Sequence, residues 1–134
     1  MKGPVTYRIL VIEDDHATRS LLQKTLTPEG YECLSAPNAA AGLRLAGESR
    51  PDLVLMDVHL PDGNGIELCA QLRSQPSLRH IPVLILTGQA SDLEEKAQGL
   101  EAGAEDYILK PFSPKELLSR IRRVLQAGNR PSHS

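Results

Sequence analysis

Four apolar runs in this chain stop abruptly on groups that could do chemistry together. Glu13 and Asp14 follow Arg8–Ile12 (RILVI), Asp57 follows Leu53–Met56 (LVLM), Thr87 follows Pro82–Leu86 (PVLIL), and Lys110 ends Glu105–Leu109 (EDYIL). Three carboxylates, one hydroxyl and one ammonium make a coherent set. Magnesium is a hard cation that takes oxygen ligands, commonly one or two carboxylates, with water and a phosphate oxygen completing an octahedron. Phosphoryl transfer asks a protein mainly to position reactants and neutralise charged oxygens. A divalent ion, a lysine and a hydroxyl supply that. Each residue also has a plainer role. Asp57 stands just ahead of the turn-rich stretch Pro61, Asp62, Gly63, Asn64 and Gly65, where an aspartate can simply cap a turn. Acids at positions 13 to 15 can stabilise the N-terminus of a following helix by roughly 0.3–1 kcal/mol each. Three adjacent acids exceed what one cap requires, which favours a cation held by two of them.

For these groups to meet, the four runs must be neighbouring parallel strands ending on one edge. The run at 53–56 is continuously apolar, as a strand covered on both faces should be, and the run at 82–86 is of the same kind. Helix-length segments separate the runs. Leu21, Leu22 and Leu26 recur at helical spacing over Ala17–Leu26, with Asp15 or His16 as the cap and Pro28 and Gly30 as the stop. Tyr31–Ala36 alternates and predicts a short strand. Asn38 suits the N-cap of an alanine-rich helix reaching about Glu48. Ile66, Leu68, Cys69 and Leu72 predict a helix over Ile66–Arg73, followed by a loop from Pro76 to Pro82. A further helix is expected from a cap at Ser91 or Asp92, through Leu93, Ala97 and Leu100, to a stop at Gly103. The last begins at Pro114, a favourable first helical residue, and carries Leu117, Leu118, Ile121, Val124 and Leu125. Five strands alternating with five helices predict an α/β fold: a doubly wound, five-stranded parallel sheet with helices on both faces and strand order 2-1-3-4-5. Open sheets of this kind bind ligands at the carboxyl edge, where the polar groups stand.

The bulk properties narrow the function classes. The 134 residues suit one domain. A net charge of -2 and a pI near 6.1 give no electrostatic reason for direct contact with nucleic acid or an anionic membrane. Cys33 and Cys69 lack metal-ligand spacing and fall on apolar faces, so buried free thiols in a reducing compartment are expected. No apolar run approaches the roughly 18 residues of a membrane span, and no charged-then-apolar leader follows Met1. A cytoplasmic location without membrane contact is expected.

From about Arg8 to Ala127 the chain resembles the receiver domain of bacterial two-component response regulators, the CheY-like member of the flavodoxin-like folds. The motifs that carry the resemblance are I-E-D-D after the first strand, L-M-D-V-H-L-P-D-G-N-G around Asp57, I-L-T-G at the fourth strand and G-A-E-D-Y-I-L-K-P-F at the fifth. Their order and spacing together are specific. The resemblance implies a phosphorylation-activated switch, with residues 1–127 forming the receiver and 128–134 a tail or the start of a linker. Asp57 would accept a phosphoryl group from a sensor histidine kinase or a phosphotransfer protein. Asp14 would ligate Mg2+ directly and Glu13 through water, with Asp57 and the main-chain carbonyl of His59 as further ligands. Thr87 would hydrogen-bond a phosphoryl oxygen, Lys110 would pair with it, and Asp15 is left as a cap. The Lys110–Pro111 peptide is expected to be cis. The chain would catalyse its own phosphoryl transfer and dephosphorylation and would not otherwise be an enzyme.

The resemblance also implies a switch. Roughly 1.5 to 2 added negative charges at Asp57 would draw the Thr87 hydroxyl inward and let Tyr107 turn from exposed to buried. The plainer view of Tyr107 is a half-exposed strand tyrosine packed on a helix. His59 could govern how water reaches the acyl phosphate, or be a solvated loop histidine. The output surface would be the last two helices and the strand between them. In receivers of winged-helix transcription factors, matching charges form salt bridges across a two-fold homodimer, here Lys96 with Glu116, Glu101 with Arg122, and Asp106 with Arg120. A solvated charged face is the alternative, since exposed pairs are worth ~0–1 kcal/mol. Arg120, Arg122 and Arg123 lack interleaved aromatics, so nucleic acid is expected to be a partner only through an output domain outside this chain. Two other classes fit less well. A haloacid-dehalogenase-like phosphatase would place a second acid where this chain has His59 and would carry a cap insertion. A flavodoxin-like cofactor binder would need a phosphate-cradling loop after the first strand, where three acids have the wrong sign.

Overall fold

Alternate residues of a strand point to opposite faces of the sheet, and in this chain both sets are apolar. Ile9, Val11, Leu53, Leu55, Leu84, Leu86 and Ile108 pack on one side against Leu22, Leu26, Leu117, Ile121 and Leu125. Leu10, Ile12, Val54, Met56, Val83, Ile85 and Tyr107 pack on the other against Ala46, Leu68, Cys69 and Leu72. Each such aliphatic side chain taken out of water contributes roughly 1.5–3 kcal/mol. The sheet therefore needs helices on both faces.

The computed structural model describes residues 6–88, 97, 98 and 100–127. Strand β1 (Arg8–Ile12) leads to helix α1 (His16–Leu26), a 3-10 turn (Thr27–Glu29) and β2 (Glu32–Ala36). Helix α2 (Ala39–Ser49), β3 (Leu53–Asp57), the short strands β4 (His59–Leu60) and β5 (Gly63–Asn64), and α3 (Gly65–Ser74) follow. Then come β6 (Val83–Thr87), β7 (Asp106–Leu109) and a C-terminal helix (Pro114–Ala127). The main sheet runs β2-β1-β3-β6-β7, all parallel, which is the expected order. α1 and the C-terminal helix cover one face, and α2 and α3 the other.

The helix ends follow capping chemistry. Asp15, rather than His16, caps α1, its Oδ2 accepting from Thr18 N at 2.9 Å and Thr18 Oγ1 at 2.6 Å. Asn38 caps α2 through Ala41 N, and Asn64 caps α3 through Ile66 N. Residues 97, 98, 100 and 101 are helical, and Gly103 adopts φ 107°, a left-handed conformation that glycine tolerates, at the expected stop. The caps expected at Ser91 or Asp92, and Leu93 and Lys96, lie outside the described residues.

Three details depart from expectation. The turn-rich stretch after Asp57 is a miniature antiparallel hairpin in which His59 pairs with Asn64 and Leu60 with Gly63. Cys33 is half-buried, because β2 is an edge strand, while Cys69 is buried; both are free thiols. Strand β6 also begins one residue later than expected. Pro82 has no N–H to give and contributes only its carbonyl, to Val54 N at 2.9 Å. Among the described residues no helix is long and apolar enough to cross a membrane.

Candidate functional site

Register brings the four strand ends together. Ile12 pairs with Met56, so Glu13 emerges beside Asp57. Asp57 pairs with Leu86, one place before Thr87, and Thr87 pairs with Leu109, one place before Lys110. Main-chain bonds carry the ladders just past the strands: Glu13 N donates to Ala36 O at 3.0 Å, Val58 N to Leu86 O at 3.2 Å, and Lys110 N to Thr87 O at 2.6 Å. The side chains at this edge are thus held by paired backbone, which suits a site that must be rigid. The Lys110–Pro111 peptide is cis, as expected.

The Lys110 ammonium donates to Glu13 Oε1 at 2.9 Å and to Asp57 Oδ2 at 3.3 Å. Glu13 is 1 % exposed, Asp57 9 % and Thr87 fully buried. Burial, together with hydrogen bonding to Asp57 and its charge, pushes the Glu13 carboxyl up to about 7, against the opposing pull of Lys110. Burial pulls the Lys110 ammonium down. The hydrogen bonds and charges of Glu13 and Asp57 together outweigh it, leaving lysine above its ordinary value.

One lysine cannot neutralise three carboxylates. Glu13, Asp14 and Asp57 each offer an oxygen, and the three lie within 4.8 Å of one another. Glu13 Oε2 is buried and accepts no hydrogen bond from the described residues, an arrangement that leaves an oxygen with the full cost of its desolvation. An all-oxygen, anionic donor set with an unsatisfied buried member fits a hard divalent cation such as Mg2+. Asp15 belongs to α1 as its cap. Its bonds from the Thr18 hydroxyl and main chain hold its carboxyl below the usual range.

The other expected residues are spread more widely. His59 has an exposed side chain, and its main-chain N–H donates to Asp57 Oδ1 at 3.4 Å. Tyr107 is 5 % exposed, among Val83, Ile85 and Ala104. It is therefore buried and not half-exposed. Asp106 and Arg120 are joined within the chain at 2.6 Å, and Glu116 reaches the same guanidinium at 3.4 Å. Arg122 lies 3.8 Å from Glu29 of the 3-10 turn, and Glu101 is exposed.

Three residues near the site were not singled out from the sequence. Arg19 directs one guanidinium nitrogen at the carbonyls of Glu13 and Asp14, at 2.8 and 3.0 Å. Asp62 reaches back to α2 and accepts from Ala39 N at 2.7 Å and Ala40 N at 3.0 Å. Gly65 packs its Cα on the main chain of Asp57 and Val58 and donates to Val58 O at 2.7 Å. The signal for the last two was present in the dense turn chemistry of residues 61 to 65, which marks a loop without saying what it touches. For Arg19 no local signal exists.

Comparison with known proteins agrees with this fold. The chain is 41 % identical over 118 residues to the phosphate regulon transcriptional regulatory protein PhoB of Pseudomonas aeruginosa, covering 88 % of this chain and 51 % of that protein. It is 43 % identical over 119 residues to the response regulator MprA of Mycobacterium sp. (strain KMS), covering 89 % and 50 %. The chain thus spans about half the length of the curated relatives it matches. Among solved structures, the chemotaxis response regulator CheY4 of Vibrio cholerae superposes with a TM-score of 0.84 at 32 % identity, covering 90 % of this chain and 99 % of that one. A CheY-like receiver domain protein from Methanospirillum hungatei gives 0.86 at 35 %, covering 92 % and 96 %. Residues 9–122 match the family model of the response regulator receiver domain, and the chain belongs to that family.

Proposed function

We propose that Asp57 is the phosphoryl acceptor of this receiver, that Mg2+ held by the Glu13, Asp14 and Asp57 cluster supports the transfer, and that Thr87 and Lys110 sense the product. The observation that carries this reading is the bridge from Lys110 to Glu13 and Asp57, beside a buried Glu13 oxygen that has no donor among the described residues. The donor is a phosphohistidine on a sensor kinase or a phosphotransfer protein, which goes with a cytoplasmic location. An Asp57 carboxylate oxygen attacks phosphorus, the P–N bond breaks as the O–P bond forms, and the imidazole leaving group takes a proton. Hydrolysis by water returns the carboxylate and releases inorganic phosphate. When bound, the cation would neutralise charge on the transferring oxygens, with the His59 carbonyl as an additional ligand. Lys110 stays close enough to exchange its Asp57 contact for a phosphoryl oxygen. The Thr87 hydroxyl, one residue beyond the strand partner of Asp57, binds another.

In this reading the receiver unit is residues 1–127, with 128–134 a tail or linker, and phosphorylation acts on the surface around β7 and the C-terminal helix. Homodimerisation there would exchange the Asp106–Arg120 pair, now closed within the chain, for its equivalent across a two-fold axis, alongside Lys96 with Glu116 and Glu101 with Arg122. Sedimentation with beryllofluoride showing only monomer would remove the dimer while leaving the acceptor intact. No nucleic-acid contact is assigned to the receiver residues. The acceptor is tested with acetyl phosphate. Acid-stable, base-labile label should enter the wild type in magnesium, fall sharply in chelator, and be lost in Asp57→Asn. Equal labelling of Asp57→Asn would refute it.

A further inference from the structure

Glu13 is fixed at nearly every polar atom: its N–H by Ala36 O, its Oε1 by Lys110, and its carbonyl by Arg19. Asp14 is exposed, and its main chain is held at the carbonyl, again by Arg19. Both contacts come from one guanidinium nitrogen, Nη1, whose two hydrogens serve the two successive carbonyls at 2.8 and 3.0 Å. The other terminal nitrogen lies 3.5 Å from His16 Nδ1. Arg19 stands on α1, whose own N-terminus Asp15 already caps, so capping the helix does not require it. The two carbonyls it holds belong to adjacent residues whose side chains supply two of the three clustered oxygens.

We propose that Arg19 is a positioning residue for the divalent-cation site: it locks the Glu13–Asp14 backbone so that both carboxylates face Asp57. This rests on the magnesium reading above. Coulombic repulsion and positioning predict opposite signs for the loss of Arg19, which makes the idea sharp. A fixed positive charge beside the site repels a dication, so removing it should tighten binding if charge were all that mattered. If positioning dominates, its loss loosens the ligands. Partners that orient metal ligands typically cost roughly 10–100-fold in affinity when removed.

The experiment is calorimetric titration of Mg2+ into the full chain, for wild type, Arg19→Gln, Arg19→Lys and Asp14→Asn, each checked by circular dichroism and melting. Arg19→Gln is expected to bind about tenfold more weakly than wild type. Arg19→Lys, whose ammonium can still aim two hydrogens at the carbonyls, should recover most of that loss. It also keeps the question answerable if Arg19→Gln does not fold. Binding by Arg19→Gln as tight as wild type or tighter, or Arg19→Lys no better than Arg19→Gln, would overturn the proposal. A role confined to stability would lower the melting temperature and leave the dissociation constant unchanged, which also overturns it. If Asp14→Asn binds as wild type does, the cation site itself is misassigned and both fall. If Asp14→Asn loses binding while Arg19→Gln keeps it, only the positioning role falls.

Discussion

Gly65→Ala sets two known effects against each other at the backbone of the acceptor. Helix propensity favours alanine by up to about 1 kcal/mol within a helix such as α3, which Gly65 opens. Packing opposes it. A Cβ on Gly65 would meet the main-chain carbonyl oxygen of Asp57 closer than real Cβ atoms stand, and would lie 3.1 Å from Val58 Cα. Both neighbours are backbone, and the Gly65 N–H is bonded to Val58 O at 2.7 Å, so neither side moves alone. Overpacking of this kind costs about 1–3 kcal/mol, and a clash with main chain belongs at the upper end. The net loss should be about 2 kcal/mol. For a domain of this size that lowers Tm by roughly 6–10 °C. Relief also requires the Asp57 carbonyl to retreat by roughly 1 Å to ordinary van der Waals separation. A misplacement of that size can slow a positioned reaction by on the order of 100-fold. Thermal melts by circular dichroism and initial rates of acetyl phosphate labelling read the two effects. An unchanged or higher Tm would mean that helix propensity wins and that Gly65 does not crowd the acceptor.

Three further outcomes are expected. Hydrogen bonds from Ala40 and Ala39 hold the Asp62 carboxyl below the usual aspartate range. Its stabilising effect should therefore be complete above the unfolded-state value and fade as pH falls through the folded-state value. Asp62→Ala should accordingly melt a few degrees below wild type at neutral pH, with the gap closing below about pH 4; a gap independent of pH would show that the charge is irrelevant. His59, with its exposed side chain and its N–H toward Asp57, is expected to govern water access, so His59→Ala should change the half-life of the acyl phosphate, and an identical half-life disposes of that role. Tyr107 is buried at 5 % exposure. If this is the inward end of a swing, its ring should be more accessible to nitration without beryllofluoride and magnesium than with them, and equal accessibility would leave it a plain core tyrosine.

The sheet was legible because its two signals are local. Unbroken apolar runs at 53–56 and 82–86 announce strands covered on both faces, and a polar residue behind each run announces the edge. From five strands alternating with helices, parallel topology follows, and with it the meeting of Glu13, Asp57 and Lys110. What escaped is what depends on distance in sequence. Asp62 caps a helix that begins 23 residues earlier, and no local propensity encodes that reach. Gly65 reads as one more turn glycine until the carbonyl it packs against is seen. Arg19 reads as a solvated helix residue, because its partners are carbonyls, which carry no side-chain signature. The Asp106–Arg120 pair, expected across two chains, is also within reach inside one. Complementary charge identifies the partners but not which copy supplies them.

The most direct measurement of the central claim is a crystal structure of the chain with Mg2+ and beryllofluoride. The expected result places the fluoride complex on Asp57, with the Thr87 hydroxyl and the Lys110 ammonium on its fluorines and the metal among oxygens of Asp14, Asp57 and the His59 carbonyl. A metal bound away from these acids, or a complex on Asp57 that touches neither Thr87 nor Lys110, would contradict it.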